Sequence, residues 1–441
     1  MKLTLEQKLA KRKYKQPNKI VWWFLNKIVL PFLIKPMNIH NDVQDDINEC
    51  KTGAFLLYNH QSRADYSWLT PSTYPRRLNF VVGYNEFFRS HLKFVAKLLH
   101  FIPKKNFTND IAAIKAMATI IKDNGVVCLA PEGMSSITGH NQPVASGTGK
   151  LLKHFGVPVY CCKSQGGYLF NHKVCLDNRY GRIDTKTFLL FTPEDLKQLS
   201  PKEIEDRLNK ELWQDDYVWQ QKEHIYWKTK LGIATHISDI CYKCPSCGKE
   251  FTMVSHDDVL ECTSCGNGTH INNYYEMLPY DNKSVIIDTP SHWVDWERKH
   301  VYEEIQDPHF EFKEKVKIGK IPDYKYLKEV TSEVCGEGEV IINHEGFHYQ
   351  GTKDGKEFNF SINWKALPTT GMVTTVEFFA VYNDGKFYDL YPERPSSMKV
   401  VLLVEEMHRM HGGDWLNFPW VNTYDHDLEP KPLAKYQKND N

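Results

Sequence analysis

Between Ala54 and Phe191 short apolar runs alternate with stretches of helical period. The runs AFLLY (54–58), LNFVVG (78–83), VVCLA (126–130), VPVYCC (157–162) and KTFLLF (186–191) predict strands. The clearest helix between them spans Asn109 to Asn124. Ile111, Ile114, Ala118 and Ile121 fall on one predicted face, Asn109 or Asp110 can cap the start, and Gly125 ends it. Strand and helix alternating over this length predict one α/β domain, placed at residues 46–232, with a polar, Trp-dotted helical stretch (201–230) leading out of it.

The pattern then changes. Residues 241–270 form a compact cysteine unit, and 271–330 is aromatic and charged with no clear period. From about Glu339 to Tyr391 short alternating strands return, with the hairpin pairs Asp354-Gly355 and Asp384-Gly385 between them. A helical segment from Ser397 to His411 closes at Gly412-Gly413. These features predict a mainly-β domain over 285–425, followed by a polar, loose tail. Its hairpins and closing helix resemble, by pattern alone, a pleckstrin-homology or GRAM-type sandwich. A plain structural β domain fits the same pattern.

The most apolar stretch is Ile20–Ile34, IVWWFLNKIVLPFLI. As a helix it reaches only about 22 Å, short of a hydrocarbon core of roughly 30 Å. Lys27 and Pro31 interrupt it, and no small-residue cleavage site follows. Before residue 36 the basic residues Lys2, Lys8, Lys11, Arg12, Lys13, Lys15, Lys19, Lys27 and Lys35 face the single acid Glu6. A buried core helix would explain the apolar run alone. The basic flank points instead to an interfacial segment over residues 1–45, with Trp22 and Trp23 at headgroup depth against anionic lipid.

Over the whole chain 55 basic residues balance 55 acidic ones, which disfavours a nucleic-acid partner. Eleven cysteines, five of them between Cys241 and Cys265, favour a reducing compartment over a disulfide framework. A cytoplasmic protein, peripheral to the inner face of a membrane, is the expected setting.

Chemistry concentrates at two strand ends. After AFLLY comes Asn59-His60-Gln61-Ser62-Arg63-Ala64-Asp65. An imidazole followed five residues on by a carboxylate can act as a general base with an orienting partner. In an ideal helix the two would point about 140° apart. His60 therefore belongs on the turn, with Asp65 in the first helical turn. After VVCLA comes Pro131-Glu132-Gly133-Met134-Ser135-Ser136, a loop whose free amides can face an anion or a developing oxyanion. Together these blocks resemble the glycerolipid acyltransferase family, typified by 1-acyl-glycerol-3-phosphate acyltransferase, with its N-H-x-x-x-x-D and P-E-G-T-R-like motifs. The segment VASGTGKLLKHFGVPVYCCKSQGGY resembles a further block of that family, and the likeness covers roughly residues 50–195.

The resemblance implies a mixed-sheet α/β domain and acyl transfer from a thioester to a hydroxyl, with an acyl-CoA or acyl-carrier-protein donor and a lysolipid acceptor. His60 and Asp65 would be catalytic, while Asn59, Lys104, Lys105, Glu132 and Gly133 would bind substrate. The chain departs from the family where Met134-Ser135 replaces Thr-Arg, where Asn106 follows Lys104 and Lys105 in place of an Arg, and where Cys161-Cys162 stands at a late Pro. Lys104 and Lys105 can hold a phosphate without a bidentate fork, or can belong to a solvated loop.

Cys244-Pro-Ser-Cys247-Gly and Cys262-Thr-Ser-Cys265-Gly are two knuckles that predict a zinc ribbon at 241–270, with structural Zn2+ held by four thiolates. Cys241 makes an overlapping C-x-x-C, but only the Cys244/Cys247 pair has the Pro and Gly of a knuckle. The leading expectation is thus an O-acyltransferase. The competing one is a non-catalytic membrane- or protein-binding adaptor on a degenerate acyltransferase scaffold.

Overall fold

The computed structural model describes residues 2–413 and the short strand Lys431–Pro432. Apart from that strand, the expected loose tail after Asp425 lies outside the described residues, as do residues 414–425 of the expected β domain.

The chain begins with α1 (Leu5–Ala10) and α2 (Lys19–Phe24), a π-helical turn over Leu25–Val29, and α3 (Leu30–Ile34). The first sheet comprises β1 (Asn38–Val43), β2 (Ala54–Tyr58), β3 (Leu78–Gly83), β4 (Ile102–Lys104), β5 (Val126–Leu129), β6 (Val159–Gln165) and β7 (Arg182–Phe191). Its order is β1-β7-β6-β2-β5-β3-β4. All neighbours are parallel except β6 and β7, so the sheet is mixed. Strand β2 lies at the centre between β5 and β6, and its carboxyl end opens where ligands of α/β sheets bind.

Both faces of this sheet are covered, which explains the near-continuous apolar runs. Phe55, Leu57, Val127, Leu129, Val159 and Cys161 pack with α6 (Ile111–Lys122), α7 (Thr148–Phe155) and α10 (Pro201–Leu212) on one side. Ala54, Leu56, Tyr58, Val126, Cys128 and Cys162 pack on the other with Trp22, α4 (Tyr66–Thr73) and α8 (Gly167–Phe170). Further helices are α5 (Leu92–Leu98), α9 (Pro193–Gln198) and α11 (Asp216–Glu223).

Beyond residue 250, strands β8 (Met253–His256), β9 (Val259–Cys262), β10 (Gly268–Ile271) and β11 (Met277–Pro279) form a four-stranded antiparallel sheet. Strand β12 (Val285–Ile286) pairs with β20 (Lys431–Pro432). After α12 (Pro290–Glu304) come β13 (Glu311–Lys320), β14 (Glu333–Asn343), β15 (Gly346–Lys353), β16 (Lys356–Ile362), β17 (Gly371–Met372), β18 (Phe379–Asn383) and β19 (Lys386–Pro392). They form an antiparallel sheet ordered β16-β15-β14-β13-β19-β18-β17, followed by α13 (Ser397–Met410). Ion pairs join these units. Arg298 on α12 meets Glu405 and Glu406 on α13 at 2.6 and 3.0 Å, and Lys399 on α13 meets Glu250, just before β8, at 2.7 Å.

Two expectations are corrected. Helix α6 buries Ala113, Ala116, Met117 and Ile120, while Ile111 and Ile114 are exposed. Both apolar stripes have helical spacing, and the one facing β2 and β5 wins. Trp22 is buried in the core, and Trp23 alone of the pair faces outward. Neighbouring residues on a helix point about 100° apart, so a segment packed on the domain cannot present both. Among the described residues no helix is long and apolar enough to cross a membrane.

Candidate functional site

His60 stands in the loop after β2, and Asp65 directly precedes α4, at the N-cap rather than in the first turn. The helix places the carboxylate back over the loop, 2.7 Å from His60 Nδ1 through Oδ2. Its other oxygen accepts the Ser62 N–H at 3.0 Å, and Ser62 Oγ in turn accepts the Ala64 N–H at 3.0 Å. Burial pushes the Asp65 carboxyl up, while the hydrogen bond and charge of His60 and the Ser62 amide pull it down. The side chain of Asp65 is 4% exposed and that of His60 29%, so the imidazole is the member that can meet a reactant. With Asp65 on Nδ1, that nitrogen carries the proton and Nε2 is left to accept one.

The main chain of His60 is held on both sides by the Pro131–Gln142 loop. Its N–H donates to Glu132 Oε1 at 3.0 Å, and its carbonyl accepts the Ser136 N–H at 2.7 Å. Glu132 is fully buried. It also accepts from Asn141 Nδ2 at 2.7 Å and from the Gln142 N–H at 3.3 Å. Gly133 sits at φ +76, and a Cβ there would come within 3.3 Å of the Phe107 ring, so only glycine turns this corner without strain.

The other expected substrate contacts are used by the chain itself. Asn59 is fully buried and locks the end of β2 to β6. Its Oδ1 accepts the Ser164 N–H at 2.7 Å, and its Nδ2 donates to the Ser164 carbonyl at 2.7 Å. Lys104 folds back on the carbonyls of Lys105 and Thr108. Lys105 donates to the Gly385 carbonyl at 2.6 Å and lies over the Tyr84 ring.

A different cation reaches the motif loop. Lys173 Nζ donates to Ser135 Oγ at 2.9 Å, at the position where the family carries its Arg. Burial pushes the Lys173 ammonium down to about 8; Glu86 opposes this, and the charges of Arg63 and Arg89 add to it. Arg63 belongs to the first motif, and its guanidinium holds the carbonyls of His172 and Cys175 at 3.3 Å each. Arg89 pairs with Glu86 at 3.1 Å. Arg63, Arg89 and Glu86 thus all act on the Lys173 ammonium, which reaches the loop that holds His60. Arg63 could have been suspected from its place inside the motif. Lys173 carries no sequence signal.

The four predicted metal ligands come together. The sulfurs of Cys244, Cys247, Cys262 and Cys265 all lie within 4.8 Å of one another. Cys244 and Cys265 are 3.7 Å apart, Cys247 and Cys262 3.9 Å. Thiolates 2.3 Å from a tetrahedral ion would be separated by about 3.8 Å. The two knuckles are built alike, with the N–H groups of Gly248 and Gly266 donating to the carbonyls of Cys244 and Cys262 at 2.9 Å each. Cys241 lies outside the cluster, its thiol buried against the Pro290 carbonyl. The cluster can hold a metal ion.

Residues 37–165 match the profile of the family described as Acyltransferase, a stretch that contains His60, Asp65 and the Pro-Glu-Gly block. The matched stretch is an acyltransferase-like domain within a longer chain. Among solved structures the chain is similar to the crystal structure of the 1-acyl-sn-glycerophosphate (LPA) acyltransferase PlsC from Thermotoga maritima. The match has a TM-score of 0.37 and 15% identity over 46% of this chain and 79% of that one. No curated protein matches the chain.

Burial pushes the Glu132 carboxyl up to about 8 against its three hydrogen bonds. The folded protein therefore holds this proton more tightly than the unfolded chain. The stability it contributes is complete below the ordinary carboxyl range and is lost as pH rises toward about 8. Glu132→Gln keeps the shape of the protonated acid without the ionisation. Its melting temperature relative to wild type should climb between about pH 5 and pH 8; a difference that stays constant across that range would contradict the assignment.

Proposed function

We propose that the chain transfers a fatty acyl group from an acyl-thioester to a hydroxyl of a lysophospholipid such as 1-acyl-glycerol-3-phosphate. The observation that carries this reading is the 2.7 Å contact between a buried Asp65 and a partly exposed His60 at the carboxyl edge of the central strand. His60 Nε2 takes the proton of the acceptor hydroxyl as its oxygen attacks the thioester carbonyl. The C–S bond then breaks, and the imidazolium returns the proton to the departing thiolate, so the base is regenerated without an acyl-enzyme. Asp65 balances the imidazolium charge. Glu132 and Asn59 act behind this pair by holding the main chain. Lys173, with Arg63 and Arg89, supplies the positive field for an acceptor phosphate that the Met134-Ser135 substitution removes. The donor is an acyl-CoA or acyl-carrier protein.

Two further readings belong with this one. The four-thiolate cluster holds a structural zinc, because a closed set of four sulfurs leaves no position for substrate. The N-terminal helices seat the enzyme on anionic lipid. Ile20, Trp23, Phe24 and Phe32 are 76%, 49%, 50% and 78% exposed there, beside Lys19 and Lys35. The seven-stranded sheet with its closing helix supports the pleckstrin-homology-like reading of the C-terminal domain.

His60→Ala should lower turnover by about 10²–10⁴-fold with the fold intact. Asp65→Asn should also be severe, since the amide can hold the ring in the wrong tautomer. Acyl-thioester assays with a lysolipid panel measure both. A folded His60→Ala protein working at the wild-type rate would remove the assignment. A wild type inert toward every acceptor would favour the adaptor.

Metal analysis of the purified chain should find one zinc per molecule, reduced in Cys247→Ser. Protein free of zinc above trace would exclude the site.

Trp22 and Leu30 belong to the core, so deleting residues 1–35 would damage the fold. The membrane reading is better tested by Trp23→Ser, Phe24→Ser and Phe32→Ser together. The triple variant should lose at least about tenfold in binding to phosphatidylglycerol vesicles, given the apolar area removed. Equal sedimentation of both proteins with the vesicles would refute it.

A further inference from the structure

The C-terminal β domain touches the acyltransferase domain on the segments that carry Lys173, Lys105 and Arg89. Its Thr375 N–H donates to the Lys173 carbonyl at 2.8 Å. Its Asp384-Gly385 hairpin turn accepts Lys105 through the Gly385 carbonyl at 2.6 Å. The segment entering β14 runs beside Arg89, with the Ser90 N–H on the Leu327 carbonyl at 2.6 Å.

The first of these contacts is made by an unusual piece of backbone. Thr375 and Val376 have φ +85 and +58, two consecutive β-branched residues in the left-handed region. Branching at Cβ makes that conformation unfavourable, and it persists only where the surroundings enforce it. Here Val376 and Phe378 are buried, the Val376 N–H bonds the Val373 carbonyl at 3.2 Å, and the Val373 N–H bonds the Phe378 carbonyl at 3.3 Å. The anchored turn delivers one amide to the segment that carries Lys173. Arg63 holds the same segment from the other side through the carbonyls of His172 and Cys175. Lys173 is thus fixed fore and aft, with its ammonium on Ser135.

We propose that the turn Val373–Val376 is a wall of the acceptor site that holds the Lys173 ammonium toward the acceptor's phosphate, so that the C-terminal β domain sets acceptor preference. This rests on the acyl-transfer reading above. Thr375 acts through Lys173 and is a positioning residue.

The test uses the full chain. Thr375→Pro removes the amide and forbids the positive φ. It should raise KM for 1-acyl-glycerol-3-phosphate about tenfold, with kcat and the donor KM nearly unchanged and KM for an unphosphorylated monoacylglycerol unmoved. Lys173→Met should show the same split, and the double variant should be no worse than Lys173→Met alone. If Thr375→Pro does not fold, Thr375→Gly with Val376→Gly keeps the turn accessible while loosening it, and should raise the same KM at least about threefold. Wild-type KM in the folded variant overturns the proposal, as does an equal rise for both acceptors. If the wild type transfers no acyl group, the activity reading fails separately, and calorimetric binding of glycerol 3-phosphate decides. Binding weakened by both Thr375→Pro and Lys173→Met supports the wall, and binding equal to wild type overturns it.

Discussion

The main chain of His60 is gripped by one loop, with Glu132 on its N–H and the Ser136 amide on its carbonyl. The rest of the site follows from that grip. A general base is useful only if its ring nitrogen stands within hydrogen-bond reach of the proton it takes. A side chain on a strand-end loop has that precision only when its backbone has no freedom left. The carboxylate of Asp65 sets the ring, and the Pro131–Gln142 loop sets the chain from which the ring projects. The cost is a buried carboxyl whose hydrogen-bond partners among the described residues are all neutral donors, a group that burial drives toward its neutral form. Glu132 therefore serves better as a fixed hydrogen-bonding strut than as a group that meets substrate.

The same loop explains how the site tolerates its departures from the family pattern. Replacing an arginine by Ser135 removes a charge but leaves a hydroxyl in its place, and that hydroxyl receives Lys173 from a different part of the chain. An ammonium is a point charge and lacks the arginine fork, so the exchange keeps the field and gives up bidentate geometry. Arg63 and Arg89 add their charges to the surroundings of Lys173. Their mutual repulsion is one reason the Lys173 ammonium is held low, and an anion placed among the three would relieve it.

What the sequence revealed and what it concealed follow from the range of the interactions. His60 and Asp65 lie five residues apart and the cysteine knuckles are local, so both were legible. So were the strands of the first sheet, because burial on both faces leaves continuous apolar runs. The face of α6 was not, since two apolar stripes fit one period. Helix α12 was hidden because its buried face includes Asp295, Glu297 and Arg298. Each is matched by a distant partner: His140 at 3.2 Å, the Lys243 N–H at 2.7 Å, and the α13 glutamates. The alternation of β13 is masked likewise by Glu314, which faces inward to meet Arg394 at 2.7 Å. Lys173 reaches Ser135 across 38 residues of chain, beyond any motif.

These buried charges also link the C-terminal units to the loop that grips His60. Asp295 on α12 holds His140, at the end of the loop that grips His60. The charge and hydrogen bond of Asp295 push that imidazole up even though burial pushes it down. Arg298 carries the connection to α13, and Lys399 carries it on to Glu250, just before β8. Desolvation offsets much of the Coulomb energy of such pairs, so they add little net stability over apolar packing, while losing one partner is strongly unfavourable. Their effect is therefore geometric. Charged pairs fix direction as well as distance, and the C-terminal domain they join carries the turn whose Thr375 N–H meets the Lys173 carbonyl at 2.8 Å.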